Sequence, residues 1–125
     1  MDAPQLIERA RAARTYTAEE GATTFTFVLP QPFEVRRAFI LARQPDGRHD
    51  NEGAILRIVA DAMTGWSGVK ASDFAKDAGD EPVDFSPSAV RANLGDRVAL
   101  LDRLSNDLLS RLKARADQGE AAAKN

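Results

Sequence analysis

Ile55-Leu56-Arg57-Ile58-Val59-Ala60-Asp61-Ala62-Met63-Thr64-Gly65-Trp66-Ser67-Gly68-Val69 is the stretch on which the fold turns. Ile55, Ile58, Val59, Ala62 and Met63 recur at i, i+3, i+4, i+7 and i+8, which lays one apolar stripe along an α-helix. Asp50 or Asn51 can cap its start, and Gly65 stands where a glycine commonly closes a last turn. A helix of this length is marginal alone, so the stripe implies other elements that cover it. Trp66, the only tryptophan, follows between two glycines.

Toward the C-terminus, residues 69–84 read as a loop carrying Asp73, Asp77, Asp80, Glu81 and Asp84 against Lys70 and Lys76. Ser86 and Pro87 open a short helix, since serine caps well and proline fits the first turn. That helix is predicted to end at Gly95, with Asp96 capping a final helix. Leu101, Leu104, Leu108 and Leu112 line one side of it, and Leu100 and Leu109 widen the apolar face. The unpatterned end of the chain, 117–125, is expected to be a flexible tail after a single globular domain over 1–116.

Toward the N-terminus, Thr23 to Leu29 is the clearest strand. Phe25, Phe27 and Leu29 alternate with Thr24, Thr26 and Val28, and Pro30 and Pro32 end the run. Residues 33–43 fit two patterns. Phe33, Val35, Phe39 and Leu41 share a parity, as in a second hairpin strand, whereas Val35, Ala38, Phe39 and Ala42 form a helix face. The helix is preferred because a strand would turn Arg37 inward. Thr15 to Gly21 reads as a polar turn. Residues 4–14 read as a helix with Asp2 as cap, Pro4 in its first turn and only a narrow apolar face. The expected fold is therefore α+β and mainly α: a short N-terminal strand or hairpin, then three to four helices packed as a small bundle.

Composition narrows function. The chain has 125 residues, 43% of them hydrophobic, and a net charge of −2, without the basic excess that general nucleic-acid binding needs. With no cysteine, thiol catalysis, disulfides and cysteine-based metal sites are excluded. His49 is the lone histidine and lacks a second nitrogen or sulfur ligand. The acidic loop does not follow the alternating ligand pattern of an EF-hand. No recognisable nucleophile motif is present, so no enzyme, no cofactor and no metal are expected. No apolar run reaches membrane-spanning length and no secretory leader is evident, so a cytoplasmic protein is expected.

The amphipathic helix ending in Gly65-Trp66-Ser67-Gly68-Val69, the acidic loop, Pro82-Val83-Asp84-Phe85-Ser86-Pro87, the short helix and the leucine-bearing last helix occur together. Over roughly 25–112 this arrangement resembles the small tail assembly chaperones of long-tailed bacteriophages and prophages. The resemblance implies a factor that acts in the host cytoplasm without cofactors. It would bind the tape-measure protein, keep it soluble and recruit major tail-tube protein around it, with no nucleic acid or membrane as partner and a homo-oligomer possible.

The residues that could make or shape such a contact are Trp66, Phe74, Phe85, Leu100, Leu101, Leu104, Leu108 and Leu109. Each also has a plainer use. A lone tryptophan at a helix end commonly plugs a core, and the leucine stripe can pack on the helix over 55–63. Both uses can coexist if Leu100 and Leu109 lie outside the internal contact. The alternatives are another phage morphogenesis component, such as a connector or tail-completion subunit, or a helix-turn-helix DNA-binding regulator over 86–115. Asp96, Asp102 and Asp107 interrupt the basic face that the regulator would need.

Overall fold

In a computed structural model the backbone is described for residues 2–124 and side chains for residues 2–119. The order is α1 (Ala3–Ala13), β1 (Thr15–Glu20), β2 (Thr23–Val28), α2 (Pro32–Leu41), α3 (Asn51–Ala62), β3 (Met63–Ser67), α4 (Pro87–Gly95) and α5 (Val98–Lys124). The chain is 57% helical, with a three-stranded antiparallel sheet in the order β1-β2-β3, so the fold is α+β and mainly α.

β2 is the central strand because its alternation is complete. Phe25 and Phe27 are buried on one face, while Thr24, Thr26 and Val28 turn to the other. A central strand needs partners on both edges, and neither edge looks like one in the sequence. Thr15 to Glu20, expected to be a turn, is strand β1, pairing Tyr16 with Phe27 and Ala18 with Phe25. Its outward residues Thr15, Thr17 and Glu19 face solvent, which gives an edge strand its polar composition. Gly21 adopts φ +58°, letting the chain reverse between β1 and β2.

The second edge corrects the expected end of α3. The helix stops at Ala62, Met63 is extended, and Gly65 lies within β3 rather than closing the helix. Met63 pairs with Phe27 and Gly65 with Thr26, leaving Thr64 as the extra residue of a bulge. Pairing with β2 seats Met63 in the core.

Residues 33–43 are helical over most of their length. α2 begins at Pro32, the backbone N–H of Gln31 donates to Glu34 Oε1 (3.0 Å), and Arg37 is exposed. α3 is the hub that packs on α2, α4 and α5, with Ala54, Ile58, Val59, Ala60 and Ala62 buried. Asp50 caps it through Gly53 N (2.9 Å). Ser86 caps α4 through Ala89 N (3.1 Å), as its sequence predicts. Asp96 is instead the C-terminal cap of α4, and α5 starts at Val98 with the Leu101 N–H donating to Arg97 O. α5 continues as helix to Lys124, so residues 117–124 carry helical backbone.

Candidate protein-binding surfaces

Trp66, Phe74 and Phe85 are brought together. Trp66 stands on β3 opposite Phe25, and its indole N–H donates to the Val83 carbonyl at 2.8 Å. The Phe85 ring meets it edge-on at 5.4 Å and Phe74 at 6.4 Å. The loop over 69–84 is tied at its base: Val83 N–H donates to Val69 O, Ala71 N–H to Glu81 O and Ser72 N–H to Gly79 O. Asn93, buried on α4, adds a donation from Nδ2 to the Asp73 carbonyl (3.1 Å) and accepts from Arg97 on Oδ1 (3.3 Å). The acidic side chains therefore decorate a hydrogen-bonded excursion whose aromatic residues pack on one another. Of the three, Phe74 is exposed, and Trp66 and Phe85 are partly buried.

The leucines of α5 divide. Leu100, Leu104 and Leu108 are buried in the core cluster that contains Phe25, Phe27, Val59 and Leu94. Leu101 and Leu112 pack against its margin, and Leu109 is exposed. The idea that Leu100 lies outside the internal contact is thus corrected: at 3% exposure it is core. α5 is further tied to β1 by Arg103 on Glu20 (2.6 Å) and by Arg111, whose guanidinium lies 4.2 Å from the Tyr16 ring centre. His49 sits on an exposed loop, bridged to Arg43. Among the described residues no three of His, Asp and Glu gather as metal ligands would, and no helix is long and apolar enough to cross a membrane.

The surface that sequence reasoning missed lies at the opposite end of the sheet. A cleft of about 490 Å³ runs between the end of α1, the end of β2, α2 and α3. Leu29, Ala38, Ile58 and Ala62 contribute its apolar lining, and Arg11, Arg14, Arg37 and Arg57 its charge. Arg14 Nη1 donates to the Leu29 carbonyl (3.2 Å), and the Leu29 N–H donates back to Arg14 O (2.8 Å), which anchors the end of α1 beside β2. Beyond that anchor α1 buries none of its side chains. Leu6, Ile7, Phe33, Ile40 and Leu41 on α1 and α2 are all more than half exposed. The readable signal was the pair of helix stripes Ile7-Arg11-Arg14 and Phe33-Arg37-Leu41, each mixing apolar residues with arginine at helical spacing. No family model, curated protein or solved structure matches this chain.

Proposed function

We propose that this protein works by binding another protein chain through exposed apolar helix surface, and that it serves as a phage tail assembly chaperone whose client is the tape-measure protein. The observation that carries the binding half of this reading is the concentration of large exposed apolar side chains on α1 and α2, where Ile7 is 67% and Phe33 61% exposed. A domain that has already buried sixteen hydrophobic residues among those described has no internal use for these. Covering them with a client gains roughly 25 cal/mol per Å² of apolar surface, before the costs of association. The tape-measure identity of the client rests on the resemblance carried by Gly65-Trp66-Ser67-Gly68-Val69 and Pro82-Val83-Asp84-Phe85-Ser86. In this role the chain lends surface and releases it. It makes and breaks no bond, and recruitment of tail-tube subunits would follow from holding the client extended.

The test is co-expression with a long helical tape-measure protein from the same gene neighbourhood. The expected result is a soluble client with this chain and an insoluble one without it. Equal solubility in both cases removes the reading. Mass spectrometry of purified particles separates the connector or tail-completion alternative, since a chaperone leaves the finished particle and a structural subunit stays.

A further inference from the structure

We infer that the cleft between α1 and α2 is the docking site for an acidic amphipathic helix of another protein. This rests on the protein-binding reading above and adds the place of contact and the chemistry of the partner.

The walls are two helices with matching stripes. Arg11 and Arg14 line the cleft from the end of α1, with the exposed Ile7 one turn before Arg11 and outside the lining, and Phe33, Arg37 and Leu41 line it at i, i+4 and i+8 on α2. Leu29 and Ile58 lie between the walls as apolar floor. A trough with an apolar floor and charged, partly apolar walls suits a helix laid into it, anchored by side chains at i, i+3, i+4 and i+7.

Charge selects the sign of that helix. Four arginines and two carboxylates line the cleft. Asp61 is already occupied by Arg57 at 3.6 Å and Arg91 at 3.3 Å. Glu34 is occupied by the Gln31 N–H, and Arg14 is held by backbone carbonyls of Ala10 and Leu29. Arg11 and Arg37 remain, one on each wall, and among the described residues neither meets a carboxylate. They are free to pair with acids that flank an apolar stripe on both sides of an incoming helix. A nucleic-acid backbone fits less well, because Asp61 and Glu34 repel phosphate and Phe33 and Leu41 would stay wet. A second copy also fits less well. Among the described residues the acid-bearing exposed face of α5 holds only Val98 and Leu109 as large apolar residues, and they are about 16 Å apart at the rise of a helix.

The experiment uses a fluorescein-labelled helical peptide of about five turns with leucine at i, i+3, i+4 and i+7 and glutamate on both flanks, and a twin with lysine in place of glutamate. Anisotropy titrations against the full chain are expected to show the glutamate peptide binding about tenfold tighter or better, as a steered charge pair at an apolar contact should. R11E/R37E should reverse that preference, R11Q/R37Q should abolish it, and Phe33→Ser should weaken both peptides. Equal binding of the two peptides, or binding of neither, overturns the inference. So does tighter binding of a short DNA duplex, or a wild-type dimer in sedimentation that R11E/R37E dissolves. The two readings separate under co-expression. If the wild type and R11E/R37E keep the tape-measure protein equally soluble, the cleft inference fails and the chaperone reading stands. If the wild type does not solubilise it while the peptide preference holds, the client's identity fails and the cleft stands.

Discussion

The loop around Trp66 and the cleft between α1 and α2 are opposites in how they use their residues. Around Trp66 every conspicuous group is engaged: the indole N–H on Val83 O, the rings of Phe74 and Phe85 against the indole, Asn93 bonded on both sides. In the cleft part of the lining is left unmatched. Phe33 and Leu41 stand in solvent and Arg11 and Arg37 lack acids. The chain's single tryptophan thus marks a place where the fold is closed, and commonplace leucine, phenylalanine and arginine mark where it is open. An unusual residue advertises packing as readily as recognition. What distinguishes a binding surface is apolar area and charge that the fold leaves unmatched.

The largest expected effect tests the closed half. Trp66→Ala should cost about 3 kcal/mol in urea unfolding, since it removes a large ring and leaves the Val83 carbonyl without its donor. Phe33→Ala should change stability by no more than about 0.5 kcal/mol, as expected for an exposed side chain. If the two substitutions cost the same, the wall of the cleft is part of the core and the contrast collapses.

Next comes a pair of glycines that flank the same tryptophan and are interchangeable by eye. Gly68 has φ +81°, and an added Cβ would collide with the backbone carbonyl of Ala22. Gly65 has open space at that position and no positive φ. Gly68→Ala is therefore expected to cost about 2 kcal/mol, from the left-handed backbone and the collision together, while Gly65→Ala stays within about 0.5 kcal/mol. The check is the urea midpoint of each variant. It sharpens the contrast because Gly68 fastens the Trp66 loop onto the β1–β2 turn, where Thr23 Oγ1 donates to Gly68 O at 3.2 Å.

Legibility followed the same division. The stripe of α3, the alternation of β2 and the Ser86-Pro87 start of α4 were readable because each is a local pattern whose reward is burial of its own side chains. β1 and β3 were not. Their strand character comes from hydrogen bonds that β2 offers, and Tyr16 to Glu20 carries no run of apolar residues to announce it. Gly65 misled because a glycine after an apolar helix can close the helix or enter a bulged strand, and only the pairing of Met63 with Phe27 decides. At the aromatic cluster, the residues were named from sequence, but their mutual contacts depend on loop closure by backbone bonds that leave no trace in residue type. The stripes of α1 and α2 were readable one helix at a time, but their common opening was not, because the two helices are separated by a hairpin and only the fold brings Arg11 and Arg37 together.

The smallest effect probes how completely the closed side is satisfied. Tyr16 stacks on Phe27 at 5.2 Å and sits under Arg111, yet among the described residues its buried hydroxyl has no hydrogen-bond partner. Burial, reinforced by the Asp107 carboxylate and partly offset by Arg111, pushes this phenol up to about 12. In the unfolded chain it ionises near its ordinary value of 10.0, so between the two values the unfolded state has released a proton that the folded state keeps. Stability therefore falls as pH rises through that window, and none is lost on this account below it. Tyr16→Phe deletes both the orphaned hydroxyl and the titration. At pH 7 it should be neutral or stabilising by up to about 1 kcal/mol. Melting temperatures measured from pH 9 to pH 12 should fall less steeply for the variant than for the parent, so that the gap between them widens in the variant's favour. Parallel curves would mean that the phenol reaches water, and that the seam between β1 and α5 is as open as the cleft.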